Sequence, residues 1–299
     1  MARLSIRTDY GGTDEKDAHC RCGACCVGGG FLFLNASTNG IAGFYLWSAL
    51  GGRVQAANVA VNGTTIHVET FGDAESARRP VLVLHGGTAF LETMHAQITL
   101  LADDRLVIAP DSRAHGRSGD ADGVALTYDL MAEDMIALLD HLAIEEVDIV
   151  GWSDGGNIGL IMAMTAPERV GRLVMYGSNA HYSAVDSALI DRDPDSETWA
   201  SVKSFYDSVA PEPAHWPVAL GKIIDMWATR PALEMAQLAD VGSPVLVMAG
   251  EFDSIDEAHT RAMAAALPNA EFFIVPGQDH FAPLMAPETV NPHIEVFLN

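Results

Sequence analysis

The chain has 299 residues, and 49% of them are hydrophobic, enough to fill the core of one large α/β domain and too many for a disordered or fibrous polymer. Forty acidic residues against seventeen basic ones leave a formal charge of −23. A surface of that sign repels phosphate backbones, which excludes sequence-independent nucleic-acid binding. No window approaches the roughly 18 uninterrupted apolar residues of a spanning helix, so no transmembrane segment is expected.

Residues 1–52 differ from the rest. They carry every cysteine of the chain (Cys20, Cys22, Cys25 and Cys26), a Gly28-Gly29-Gly30 run, and an apolar stretch at Ile41–Leu50. That stretch resembles a secretory apolar region, but no basic segment leads into it and what precedes it is too long. The expected reading is a poorly packed leader and a cytoplasmic protein, secretion entering only through a start or cleavage within residues 1–57. His19 beside the cysteines suggests a soft metal, yet a stable zinc site joins ligand pairs from separated segments, and no second pair exists. No metal and no cofactor are expected.

Regular patterning begins near residue 53. Arg53–Val61 and Thr64–Thr70 alternate around Asn62-Gly63, a hairpin signal. Pro80–Leu84 is a short apolar run of the kind buried on both faces of a parallel sheet. Helix is predicted at Leu91–Leu101, strand at Arg105–Ala109, helix at Tyr128–Leu142, strand at Val147–Val150 and helix at Asn157–Ala166. Further strands fall at Leu173–Tyr176, Pro244–Met248 and Phe272–Val275, with helices around 256–266 and 286–298. Strands alternating with helices imply a mostly parallel sheet covered on both faces, entered through an antiparallel hairpin. The rhythm breaks between about 179 and 242, where aromatic-bearing helical segments (Trp199, Phe205, Tyr206; Trp216, Met226, Trp227) lie between prolines. The expected organisation is a core of 53–178 and 243–299 with a helical cap at 179–242.

Gly151-Trp152-Ser153-Asp154-Gly155 fits G-x-S-x-G and lies between a buried strand and a helix. That context places a serine on a sharp, strained turn at a helix N-terminus, where backbone N–H groups favour developing negative charge. A serine hydroxyl needs a base, and the base needs an orienting carboxylate, in the chain order Ser, acid, His on this architecture. Asp253 follows the strand at Pro244–Met248, and His280 follows the strand at Phe272–Val275; catalytic groups of open α/β sheets gather at such carboxyl ends. Glu251 rivals Asp253 as the acid, whereas Asp279 is too close to His280 to face it. Leu84-His85-Gly86-Gly87-Thr88 matches a turn that supplies one oxyanion N–H, assigned to Gly87, the second coming from Asp154. Trp152 and the Asp154 side chain are candidate substrate contacts. His85, His115 and Arg117 read as loop-fixing residues, His141 as a partly exposed helix residue, and the Asp191, Asp193, Asp195, Glu197 run as a solvated face.

Together these motifs resemble the α/β-hydrolase fold superfamily from residue 53 to 299. Asp111-Ser112-Arg113-Ala114-His115-Gly116-Arg117-Ser118 matches its D-x-R-G-x-G-x-S loop, with Ala114 where glycine is usual. Gly151–Gly156 with Tyr176-Gly177-Ser178-Asn179-Ala180 is similar to the valacyclovir-hydrolase (biphenyl-hydrolase-like) branch, which implies that Asp154 binds the α-amino group of aminoacyl esters. A carboxylate about 6 Å from a forming oxyanion opposes it by nearly 3 kcal/mol at an effective dielectric of 20, a repulsion that a bound ammonium would offset. A purely structural Asp154 at the helix start is the competing expectation. The sequence therefore predicts a serine hydrolase of small-molecule carboxylic esters acting through an acyl-enzyme. Amide, lactone and carbon–carbon bond hydrolysis are the alternatives on the same fold, and a non-catalytic ligand receptor is the alternative from another class.

Overall fold

In the computed structural model, residues 40–185 and 190–299 are described; the cysteine cluster lies outside them. Eight strands form one sheet: β1 (Arg53–Val61), β2 (Thr64–Gly72), β3 (Val81–Leu84), β4 (Leu106–Pro110), β5 (Val147–Trp152), β6 (Val170–Tyr176), β7 (Val245–Phe252) and β8 (Ala270–Asp279). Their order is β1-β2-β4-β3-β5-β6-β7-β8. The β1–β2 and β2–β4 pairings are antiparallel and the rest parallel. The Asn62-Gly63 turn sets the hairpin register, with Val61 opposite Thr64 and both turn residues at positive φ.

The alternation of side chains along each central strand fills two separate cores. Leu82, Leu84, Ile149, Leu173, Met175, Val245 and Val247 face one layer with α2 (Tyr128–His141) and α3 (Asp154–Thr165). Val81, Val83, Val150, Val174, Leu246 and Met248 face the other. That second layer is closed by α1 (His95–Leu101), the short α7 (Ala282–Met285) and α8 (Pro287–Leu298). Strands buried on both faces need a continuous apolar run with period-two assignment to the layers, and these runs supply it. Strand β3 lies within its predicted span, whereas β5, β6, β7 and β8 extend beyond theirs, because ladder pairing continues past the apolar run, as from Gly250 opposite Val275 to Phe252 opposite Asp279.

Between β6 and β7 the chain inserts α4 (Ala200–Val209) and α5 (Trp216–Trp227), then returns through α6 (Glu257–Ala266) after β7. Aromatic pairs hold the insertion together and down: Trp199 against Trp227 at 6.2 Å, Tyr206 against Trp216 at 5.2 Å, and Phe205 against Phe90 of the core at 5.8 Å. A charge clamp adds to them. Lys222 Nζ donates to Asp120 Oδ2 at 2.6 Å and to the Ala121 carbonyl at 2.8 Å, while His215 Nε2 lies 3.0 Å from the same carboxylate oxygen.

The end of the leader departs from the sequence reading, and Ala114 meets the backbone demand that its motif position announces. Residues 40–47, expected within a poorly packed leader, are helical, and their last turn widens over Ser48–Gly52. Ile41 and Phe44 are buried, and Phe44 and Trp47 cover Phe71 of β2, with Trp47 stacked on it at 5.6 Å. Ala114 adopts φ 62°, the left-handed conformation that the usual glycine occupies freely and alanine reaches at a cost of about 1–2 kcal/mol.

The Asp111–Ser118 loop that carries Ala114 is fixed by a buried ion pair. Arg113 Nη2 and Nε reach both oxygens of Asp134 on α2, with the two side chains 1% and 0% exposed, and Nη2 also donates to the Asn62 carbonyl. Removing one partner leaves an uncompensated charge in the interior. Asp134→Ala should therefore lower stability by about 3–5 kcal/mol in urea titration, and Arg113→Met with Asp134→Leu should cost far less.

Candidate active site

Ser153 joins β5 to α3 at φ 52°, ψ −117°, a conformation that costs a non-glycine residue about 1–3 kcal/mol. Its N–H donates to the Tyr176 carbonyl at the end of β6 (2.8 Å), and its carbonyl accepts from Ser178 Oγ (2.9 Å), so the turn is pinned from both sides. The strained geometry also needs strand and helix to meet closely. A Cβ on Gly155 would run into the Leu84 carbonyl, and one on Gly156 would meet Ser178 Oγ. The turn after β3 closes in from the opposite side, with a Cβ on Gly86 only 3.3 Å from Ser153 Cβ.

Asp253 follows β7 and His280 follows β8, and their side chains meet. His280 Nδ1 lies 2.8 Å from Asp253 Oδ1, an oxygen that also accepts the Ile255 N–H at 2.9 Å. A proton on Nδ1 completes that bond and leaves the lone pair on Nε2. Backbone anchors fix the imidazole: the Trp152 indole N–H donates to the His280 carbonyl (2.8 Å), and the Tyr176 hydroxyl donates to the Asp279 carbonyl (2.7 Å). Gly177, at φ 61°, leaves room for the pair, since a Cβ there would sit 2.7 Å from His280 Nδ1. Among the described residues Ser153 Oγ makes no hydrogen bond to His280; a nucleophile–base bond commonly tightens only in the complex with substrate.

Burial alone would raise the Asp253 carboxyl, but the charge of His280 and its hydrogen bond outweigh burial and hold it below the usual carboxylate range. Burial would likewise lower His280, and the facing Asp253 charge and bond outweigh it and push the imidazole above its ordinary value. The rival acids are engaged elsewhere. Glu251 is exposed and accepts the Gly277 N–H at 2.8 Å; Asp279 accepts the Phe281 N–H at 2.9 Å.

Asp154, first residue of α3, is 4% exposed, and among the described residues its side chain forms no salt bridge. Its Oδ1 accepts the Tyr128 hydroxyl at 2.7 Å, and the Trp227 indole N–H lies 3.0 and 2.9 Å from Oδ1 and Oδ2. Burial raises this carboxyl even though the Trp227 and Tyr128 bonds pull it down. Trp227 is named from the sequence only as a cap aromatic and Tyr128 only as the start of a helix; neither is expected at Asp154. Buried hydroxyl and indole groups usually find a polar partner, the one signal that pointed to them. Trp152, expected at the substrate, is 4% exposed with its N–H bound to the His280 carbonyl, so it positions the His280 loop. Asn157 on α3 and Asn179 after β6 exchange two bonds of 2.9 Å and tie the start of the insertion to the same helix.

The other histidines of this region are structural. His85 Nε2 accepts the Ser112 N–H at 2.9 Å, which puts the proton on Nδ1, 2.7 Å from the Gly86 carbonyl; burial lowers its affinity for a second proton. His115 is pushed down to about 4 by burial and by His85 beside it. Arg117 pairs with Glu92 and Asp111, fixing the loop. His141 is exposed. Among the described residues no group of three or more His, Cys, Asp or Glu converges to hold a metal ion, and no helix is long and apolar enough to cross a membrane.

Residues 81–292 match the model of the alpha/beta hydrolase family. The chain belongs to that family. Among its hydrolase relatives, the human serine hydrolase BPHL is 32% identical over 157 residues, 51% of this chain and 53% of the human protein, so that match spans about half of the relative. The mouse serine hydrolase BPHL is 26% identical over 84% of this chain and 89% of its own. These relatives fit the branch that Gly151–Gly156 pointed to. A thermophilic esterase from Thermogutta terrifontis, solved with malate bound, superposes with a TM-score of 0.65 at 25% identity, covering 82% of this chain and 97% of that one.

The geometry of this hydrolase makes the Asp253–His280 bond responsible for the elevated imidazole. In an NMR titration of the ring, the His280 midpoint should lie above the ordinary value near 6.5. Asp253→Asn removes the opposing charge, leaves burial less opposed, and should lower that midpoint.

Proposed function

We propose that this hydrolase is a serine esterase that cleaves carboxylic esters through an acyl-enzyme and favours esters bearing an α-amino group. The observation that carries the reading is the Asp253–His280 pair, 2.8 Å apart, in loops that flank a strained serine turn. In the proposed cycle Ser153 Oγ attacks the ester carbonyl carbon while His280 Nε2 takes its proton. Asp253 holds the imidazole tautomer and stabilises the imidazolium. The tetrahedral oxyanion is received by the N–H groups of Gly87 and Asp154, the latter one of the orphan donors of the α3 N-terminus. The imidazolium returns its proton to the departing alkoxide, the alcohol leaves, and water repeats the sequence on the acyl-enzyme. The helices between β6 and β7 serve as a cap over this site.

Neutral His280 is the active form, so turnover should decline as pH falls through its elevated midpoint. Ser153→Ala should reduce p-nitrophenyl acetate hydrolysis by about 10⁴-fold or more and abolish labelling by a fluorophosphonate probe. Persistence of either would identify a different nucleophile, and an unlabelled native chain would favour the receptor reading.

Support for amine preference comes from Asp154, a buried carboxylate at the nucleophile whose partners, Tyr128 and Trp227, are both uncharged. A substrate ammonium would supply the missing countercharge beside the reacting carbonyl. Asp154→Asn keeps the backbone N–H and removes only the charge. It should lower kcat/KM for L-valine methyl ester by about a hundredfold, the scale of a desolvated charge pair, and that for methyl isovalerate by less than about threefold. Equal losses on both esters would rule the amine site out.

A further inference from the structure

The Asp154 carboxylate is closed off by the insertion. Trp227, the last residue of α5, places its indole N–H within 3.0 Å of both carboxylate oxygens, and Tyr128 takes a second position on Oδ1. The remaining approach to Oδ2 is shut by Gly87 and by the Trp227 ring itself: a Cβ on Gly87 would collide with Asp154 Oδ2 and Trp227 Cζ2 together. A carboxylate has about four lone-pair positions, so the oxygens retain capacity to accept, yet at 4% exposure no ammonium reaches them past the indole. Tyr128 belongs to the core helix α2, whereas Trp227 rides on the inserted helix, so the two donors are not equally free to leave.

From this arrangement we infer that Trp227 is a latch, in which its N–H holds α5 shut on the Asp154 carboxylate and the α-ammonium of an incoming ester displaces it. The inference rests on the reading that Asp154 receives the substrate amine, and adds that recognition of the amine and release of the α5 C-terminus are one event. A neutral donor gives way to a charged one at the same oxygens: the indole bond is charge-assisted through its acceptor alone, whereas the ammonium also brings the carboxylate a countercharge. A neutral ester has nothing to exchange for the indole and leaves the latch closed. The contacts to Asp120 from Lys222, earlier on the same helix, and from His215, just before its first residue, keep its other end docked, so the displacement is confined to the last turn and the Ala228–Arg230 connection. Selectivity follows from the difference between the two esters in what they exchange at Asp154, a differential interaction of the kind that any ligand-driven shift requires.

The test uses the full chain carrying Ser153→Ala, which leaves the esters intact, with and without Trp227→Phe, which keeps an aromatic ring and removes the N–H. Calorimetry should show L-valine methyl ester binding about tenfold tighter when Trp227 is Phe, and methyl isovalerate changing by less than about twofold. In the Trp227-bearing chain, hydrogen exchange of the amides at 224–230 should accelerate on saturation with the valine ester and not with the isovalerate. Unchanged or weaker binding of the valine ester by the Phe variant overturns the latch. If that variant does not fold, unchanged or slower exchange in the Trp227-bearing chain overturns it instead. Should the valine ester bind the Ser153→Ala chain no better than methyl isovalerate does, the amine reading itself fails, and the latch fails with it.

Discussion

At the end of β5 the backbone must turn from strand to helix within a single residue, and there is space for that only because the atoms facing it are hydrogens. Gly155 lies against the Leu84 carbonyl and Gly156 against Ser178, so α3 can start directly on top of the sheet. The cost is a serine held at positive φ, restrained by the bond from its N–H to the Tyr176 carbonyl. The rest of the site hangs on that contact. Tyr176 fixes one end of the turn through its carbonyl and the His280 loop through its hydroxyl, and Trp152, immediately before the serine, holds the His280 carbonyl. Trp152 on β5 and Tyr176 on the adjoining β6 thus transmit the position of the turn to the imidazole loop after β8, three and two places away in the sheet.

The two buried carboxylates near the turn illustrate how partners decide the behaviour of one functional group. Asp253 faces an imidazole, and the shared proton lowers the acid while raising the base. Asp154 faces a hydroxyl and an indole, which stabilise its charge without cancelling it, and burial keeps the net shift upward. Neutral donors lower the cost of burying an anion, but only a cation removes the field it projects onto its neighbours. Ser153 directly precedes Asp154, and the turn it forms is tied to the Asp253–His280 pair through Trp152 and Tyr176.

Much of this architecture was written locally. The apolar runs located the central strands, Asn62-Gly63 located the hairpin, and G-x-S-x-G between a strand and a helix located the turn. Asp253 and His280 followed from strand ends, because the sheet itself brings consecutive carboxyl ends to one rim. Long-range partners had no such local mark. Nothing in the spacing joins Trp227 to Asp154, or Lys222 to Asp120, since those contacts depend on how the insertion folds back on the core. The Trp152 indole likewise meets the His280 carbonyl, a partner set by tertiary packing. Ala114 shows the reverse, a position where the pattern announced a backbone demand that the residue present meets at some strain.

The aromatic lid formed by the helix before β1 has a consequence for where the molecule can be shortened. Phe71 is completely buried beneath Phe44 and Trp47, near the end of a strand that pairs on one side with β1 and on the other with β4. A chain starting at Arg53 would wet that ring, forfeiting about 1.5–3 kcal/mol and baring an adhesive patch beside an edge strand. Although the family match begins only at residue 81, the smallest well-behaved form of the protein reaches back at least to the turn that carries Ile41.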